Sequence, residues 1–300
     1  MVTDATLLDI DSAESTVYEH GAVRLHAVEA GPEDGQPVVL LHGFPDFWYG
    51  WRHQIPALVE AGYRVLAVDQ RGYNLSWKPG EVAAYRLDRL SADVAALLES
   101  AGYRSAHVVG HDWGGTVAWD LALRRPTVVD RLAIVNVPHP EAFRRALRSR
   151  PRQWLRSWYT LGFQLPRLPE WLLGRNDGAM LARLLVGSSA PGTFTDADLD
   201  RYRESWRQVG ACRGMVNWYR AAVRTALSPA HEIPAPDREL VKQPTLVVWG
   251  EEDPALVAAL AERSVRYCPD GRLETFPEAS HWVHMERHER VNELLVEHLS

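Results

Sequence analysis

Five short runs of aliphatic, mostly β-branched residues alternate along the chain with longer stretches of helical periodicity, and this alternation is what most limits how the chain can fold. The runs are "PVVLLHG" ending at Gly43, "YRVLAVDQRG" at Gly72, "AHVVGHD" at Asp112, "RLAIVNVP" at Pro138 and "PTLVVWG" at Gly250. A strand that is apolar on both faces has to be covered on both, which is the condition of a strand inside a parallel sheet flanked by helices. The fold expected is therefore α/β. Between the runs, "SADVAALLESAG" reads as a helix with Ser91 as its N-cap and Gly102 as its stop, and "GGTVAWDLALRRP" as one that starts just after Asp112 and ends before Pro126. A last helix is expected near Met285 to Leu299, with Val291, Leu294, Leu295 and Leu299 on one side.

The alternation fails in one place. From about His139 to His231 the strand signal gives way to Trp, Arg, Leu and Pro in helical patterns, among them "TDADLDRYRESWR", with Thr195 and Asp198 spaced as a capping box. The strand signal resumes at Pro244. The division expected is a core of residues 1–138 and 232–300 with a helical cap, residues 139–231, folded over the sheet. With 300 residues, 46% of them hydrophobic, the chain can bury a core of that size. Its 33 Lys and Arg and 39 Asp and Glu form no long block of one sign, so neither nucleic acid nor a membrane surface is expected as a partner. The arginines of "FRRALRSRPRQWLR" read as the solvated face of a helix. Cys212 and Cys268 make neither a disulfide framework nor a CxxC spacing that would suggest zinc, which favours a reducing cytosol. The acidic N-terminal "MVTDATLLDIDSAES", in a chain with no apolar run near ~18 residues, leads to the expectation of a soluble, cytoplasmic protein.

"GHDWGG", Gly110 to Gly115, places an acid among small residues where a strand turns into a helix. That is the geometry of a nucleophile elbow, in which a strained turn lifts one side chain to the carboxyl edge of the sheet and glycines relieve the crowding. The bland role for Asp112 is to cap the following helix; the functional one is to attack. A serine that attacked saturated carbon would leave an ether that water cannot readily cleave, whereas a carboxylate leaves an ester that it can, so an acid here points to substitution at an sp3 carbon. In "LHGFPDFWYGW" the N–H of Phe44 would join that of Trp113 in an oxyanion hole. Phe44–Pro45 is a candidate cis bond, and His42 is expected to order this loop by hydrogen bonds, not to hold a metal. "VVWGEEDPA" puts Asp253 past a strand end, and "EASHWVHMERH" puts His281 after the next expected strand, "GRLETFP", giving the chain order nucleophile, acid, histidine. His284 and His288 compete with His281 as base, but only His281 follows a strand end directly. Asn136, at the other usual place for the acid, cannot ionise, which favours Asp253.

Together, "HGFP", "DQRGYN" (Asp69 to Asn74), "GHDWGG", "NVPHP", "WYTLGFQLP" (Trp158 to Pro166), "NWYR" (Asn217 to Arg220), "GEED" and "SHW" resemble the epoxide hydrolases of the α/β-hydrolase superfamily, over about Val17 to Leu299. The resemblance implies the α/β-hydrolase fold, a mostly parallel sheet flanked by helices, with the cap inserted after the sixth strand and with no metal or organic cofactor. It implies that Tyr159 and Tyr219 polarise and protonate an epoxide oxygen while Asp112 attacks carbon, and that His281, oriented by Asp253, activates the water that cleaves the resulting ester to a vicinal diol. Phe44, Trp158 and Trp218 are expected to touch a small apolar epoxide. Trp154 and Trp171 are further candidates, and the cap tryptophans could equally be the cap's own core. Haloalkane and haloacid dehalogenases, which use the same kind of nucleophile, are the alternative reading. The haloalkane enzymes commonly carry Asn at the Phe44 position, and fluoroacetate dehalogenases carry arginines where this chain has Trp113 and Thr116. A hydrolase fold reused as a receptor normally lacks a catalytic group, and none is lost here. Detoxification is the role such chemistry suggests; the oligomeric state, a homodimer included, is not fixed by the sequence.

Overall fold

The computed structural model describes residues 5–149, 159–227 and 240–300. Among them one sheet is built from β1 (Glu14–His20), β2 (Val23–Ala30), β3 (Pro37–Leu41), β4 (Arg64–Val68), β5 (Ala106–His111), β6 (Val129–Val135), β7 (Thr245–Gly250) and β8 (Gly271–Phe276), in the spatial order β1-β2-β4-β3-β5-β6-β7-β8. β2 is antiparallel to both β1 and β4, and all other neighbours run parallel. Every residue of β3, β4, β5 and β7 is buried, as apolar runs covered on both faces require. The helices of the core are α1 (Gln54–Glu60), α2 (Leu87–Ser100) and α3 (Trp113–Arg124). Between β6 and β7 follow α4 (Pro140–Ser149), α5 (Tyr159–Gly162), α6 (Leu168–Gly174), α7 (Ala179–Gly187), α8 (Asp196–Arg207) and α9 (Ala211–Ala226). After β7 come α10 (Ala259–Val265), α11 (Val283–Glu286) and α12 (His288–Leu299). The helical insertion therefore follows the sixth strand; the boundary expected near His231 lies outside the described residues, as does part of the arginine-rich stretch after Ser149. No described helix is long and apolar enough to cross a membrane.

Two expected boundaries differ. α2 begins at Leu87, a turn before Ser91, which lies within the helix and donates its hydroxyl to Asp120 Oδ2 at 2.5 Å. A tertiary hydrogen bond, not a cap, employs that serine. The last helix is broken at Arg287, whose φ of −125° and ψ of 37° are not helical, so that Val291, Leu294, Leu295 and Leu299 pack inward from α12 alone. β1 and β2 carry no continuous apolar run to announce them; β1 is an edge strand, largely exposed, paired through the turn at Gly21. The capping box is formed: Asp198 N–H donates to Thr195 Oγ1 at 3.1 Å and Thr195 N–H to Asp198 Oδ2 at 2.9 Å.

The register of the parallel strands lines up the site. Leu41 pairs with Gly110, His111 with Val135 and Val135 with Val248, so the segments after β3, β5, β6 and β7 leave the same sheet edge side by side. At the turn into α3 a Cβ on Gly114 would lie 2.1 Å from Leu41 O, so β3 and α3 approach as closely as they do only because Gly114 has none. The insertion is fastened to this edge by polar bonds. Trp206 Nε1 donates to Pro45 O at 2.7 Å, and Trp218 Nε1 to Arg71 O at 2.9 Å. Between those two bonds α9 lies backbone to backbone on the "DQRGYN" loop, where a Cβ on Gly214 would sit 2.4 Å from Gly72 O. Gly214→Ala is therefore expected to destabilise the protein by roughly 1–3 kcal/mol, as overpacking does, although alanine is the better helix former. Gly187→Ala, at the end of α7 where a Cβ would meet nothing within 4 Å, should stabilise by about 0.4–1 kcal/mol. Thermal melting of the two variants checks the pair of signs.

Candidate active site

Asp112 stands between β5 and α3 with φ 50° and ψ −121°, a conformation that costs an L-residue on the order of 1–3 kcal/mol. The surroundings hold it there. Its carbonyl accepts the Thr116 N–H at 3.0 Å, and its Oδ1 accepts the Phe44 N–H at 2.8 Å. The Trp113 N–H also bonds the carboxylate. The two backbone donors expected for an oxyanion hole thus both bond the Asp112 carboxylate, Phe44 at Oδ1, while Oδ2 faces His281. The Phe44–Pro45 bond is cis. His42 orders this loop as expected: Gln70 N–H donates to its Nε2 at 3.1 Å, which puts the ring proton on Nδ1, 2.9 Å from Gly43 O. Burial pushes His42 down to about 4 against the pull of Asp69, so the ring is neutral at physiological pH.

His281 Nδ1 lies 2.7 Å from Asp253 Oδ2, and its Nε2 lies 3.7 Å from Asp112 Oδ2. One imidazole therefore spans both carboxylates. Burial by itself lowers His281, but the charge and hydrogen bond of Asp253, with the charge of Asp112, overcome it and raise the ring to about 9. Burial raises Asp112 above the ordinary carboxylate value, an effect that His281 and the Phe44 and Trp113 N–H groups only partly offset. For Asp253 the balance falls the other way: burial is outweighed by His281, Asn136 and the Leu256 N–H, and the carboxylate is held below its ordinary value.

Asn136 is the residue that sequence reasoning passed over. It was weighed only as an acid, which it cannot be. At φ 44° it donates Nδ2 to Asp253 Oδ2 at 2.9 Å and to Gly250 O at 3.2 Å, and its Oδ1 accepts the Gly250 N–H at 2.8 Å. It thus fixes the carboxylate that fixes the histidine. His111 is the other: its Nε2 bonds the main-chain carbonyl of His281 at 2.9 Å. The sequence signals were present in "NVPHP" and "GHDWGG", but nothing in them says which groups the side chains meet.

Over the carboxylate stands an aromatic wall. The Tyr219 ring, on α9, packs edge to face on Phe44 at 5.4 Å and on Trp113 at 5.1 Å, with Phe163 of the insertion at 4.9 Å. Tyr219 is thereby placed on the very residues whose N–H groups hold Asp112. Trp218 is fully buried and contacts Trp113 at 5.7 Å and Tyr73 at 5.6 Å, so it backs the wall. Trp171 is 55% exposed on α6 and is neither lining nor core there. Tyr159 opens α5, but its side chain, like Trp154 and Trp158, lies outside the described residues. The rival bases point elsewhere. His288 stacks on His53 at 4.4 Å, and His284 is buried against Trp51 and His111.

An imidazole held up by two carboxylates has to fall when either is neutralised. Followed by NMR through a pH titration, His281 is expected to titrate near 9 in the intact protein, lower in Asp112→Asn, and lowest in Asp253→Asn. The same midpoint in Asp253→Asn as in the parent would exclude this pairing.

Known proteins can be set beside this geometry. The family described as alpha/beta hydrolase fold matches residues 36–288. The chain is similar to AB hydrolase superfamily protein YfhM of Bacillus subtilis, with 44% identity over 97% of this chain and 99% of that one. It is similar to Epoxide hydrolase A of Mycobacterium tuberculosis, with 34% identity over 95% of this chain and 96% of the other. Among solved structures it is similar to an epoxide hydrolase of Bacillus megaterium in complex with an inhibitor, with a TM-score of 0.86 and 31% identity over 95% of this chain and 99% of that one.

Proposed function

The chain belongs to the epoxide hydrolases of the α/β-hydrolase superfamily, and from that premise we propose that it opens a small apolar epoxide to a vicinal diol through an ester on Asp112. The observation that carries the mechanism is a carboxylate, not a hydroxyl, at the elbow, with one oxygen held by the Phe44 N–H and the other 3.7 Å from His281 Nε2. Oδ2 attacks an epoxide carbon in line, the C–O bond breaks, and the departing oxygen takes a proton from a cap phenol, Tyr219 or Tyr159. Alkoxide is otherwise a poor leaving group. In the ester, Asp112 has lost the negative charge that helped to raise His281, so the ring gives its proton up to solvent more readily and is available as the neutral base. Water gives a proton to Nε2 and attacks the ester carbonyl, with the oxyanion held by the Phe44 and Trp113 N–H groups. Collapse expels the diol oxygen, which takes the proton back from His281. The second hydrogen of the water, left on the Asp112 carboxyl, restores the phenol through solvent. No step calls for a cofactor. In this reading residues 139–231 act as the cap, which brings Tyr219 and Tyr159 to the epoxide and adds Trp158 to Phe44 of the core in lining the site, with Trp218, expected to touch substrate, instead buried behind the wall.

Removing His281 should spare the first step and stop the second. His281→Ala incubated with a styrene-type epoxide is expected to gain the mass of the epoxide, seen by intact-protein mass spectrometry and mapped to Asp112. Turnover at the parent rate would remove His281 from the role. The cap phenols serve an oxygen leaving group, so Tyr219→Phe should slow epoxide opening roughly 10²-fold, the lower range for a positioned acid. Release of halide from a bromoalkane needs no such proton. A parent protein that debrominates readily, ignores every epoxide offered and tolerates Tyr219→Phe would overturn the assignment.

A further inference from the structure

Asp46, His111 and His284 take no part in this chemistry, yet each is attached to a segment that does. Asp46 follows Phe44 by two residues, His111 precedes Asp112, and His284 follows His281 by three. All three are buried, His111 and His284 completely, and each presents a nitrogen or oxygen within 4.8 Å of the other two. Among the described residues Asp46 Oδ2, His111 Nδ1 and both ring nitrogens of His284 have no hydrogen-bond partner. Their remaining atoms are engaged. Asp46 Oδ1 accepts the Phe47 N–H and the Tyr202 hydroxyl, each at 2.8 Å, and His111 Nε2 meets His281 O at 2.9 Å.

A carbonyl only accepts, so Nε2 of His111 must carry a proton. Burial, with His284 and His281 beside it, holds the ring well below the ordinary histidine value and hence neutral, which leaves Nδ1 as a bare acceptor. His284 is neutral for the same reason and offers one donor and one acceptor. A buried polar atom left without a partner keeps its full desolvation penalty. Three atoms no more than 4.8 Å apart share a point within about 2.8 Å of all of them, a hydrogen-bond length for water. Trp51 packs on the His284 ring at 4.8 Å and Trp282 on the His111 ring at 5.0 Å.

We propose that Asp46, His111 and His284 bind one internal water that ties the oxyanion loop, the nucleophile elbow and the histidine loop together and so positions His281. The water donates to His111 Nδ1, which fixes the tautomer whose Nε2–H holds the His281 main chain, and it reaches Asp46 and His284 with its other bonds. These are positioning residues; none touches substrate. Their effect falls on the step that needs His281, the hydrolysis of the ester.

A crystal structure of the intact parent protein, purified with chelator and checked by elemental analysis, tests the site whatever the reaction proves to be. One solvent peak within hydrogen-bond distance of all three side chains, with no stoichiometric metal, is the result expected. A metal at one equivalent, or three side chains bonded directly to one another with no peak between them, overturns the proposal. The kinetic arm rests on the two-step reading given above. In single-turnover measurements His284→Leu should slow ester hydrolysis about tenfold while ester formation stays within about twofold, and His284→Gln, which can still bond water, should recover most of the loss. Equal slowing of both steps, or no rescue by Gln, would reduce His284 to a packing residue. Failure of the parent to form any ester would sink the mechanism but not the water, which the crystal structure decides.

Discussion

The hydrogen bond from the Phe44 N–H to Asp112 Oδ1 joins the loop after β3 to the turn after β5, and the rest of the site is arranged so that a carboxylate can stay there. Burial raises that carboxyl and the backbone conformation strains it. What offsets both is an ordered set of partners, the Phe44 and Trp113 N–H groups and the His281 imidazole near Oδ2. In the proposed reaction the same partners serve again: the N–H groups would hold the oxyanion, and the imidazole is the readier base once Asp112, one of the charges that raise it, is esterified. In that reading one geometry supplies both the stabilisation of the resting anion and that of the tetrahedral form that would follow.

Asp253 shows how far the support extends. It is held below the ordinary carboxylate value although it is wholly buried, because His281, Asn136, Ala255 and Leu256 supply it with donors. A buried carboxylate with those bonds missing would protonate and release the histidine. Asn136 earns its place there without any charge of its own. The helical insertion is held with comparable care, by tryptophan N–H bonds to main-chain carbonyls at Pro45 and Arg71 and by the contact of Gly214 with Gly72. Tyr219 can be aimed because the helix that carries it is fixed at the backbone.

Much of this was legible beforehand. The five apolar runs gave strands because each has to be covered on both faces, and the elbow, the oxyanion donors and the order Asp112, Asp253, His281 followed from where runs end. The antiparallel β1 escapes because an edge strand needs no continuous apolar run, β2 because Arg24, His26 and Glu29 interrupt its apolar residues, and Ser91 misleads because a serine before an apolar stretch is a cap only if no better partner lies across the interface. Trp171 misleads likewise: its residue type suggests a core, and its exposed position on α6 rules that out.

The sequence by itself determined the alternation that makes a parallel sheet, the residue types at its edge and the chemistry that an acid at the elbow permits, since these depend on covalent structure and on periods of a few residues. Only the tertiary structure decided which groups meet. Asn136 reaches Asp253 across 117 positions, His111 reaches the His281 carbonyl across 170, and Asp46, His111 and His284 converge from three segments. Such contacts are set by the register of β3, β5, β6 and β7, one residue of slip in which would turn every side chain to the opposite face, and no local pattern encodes that register.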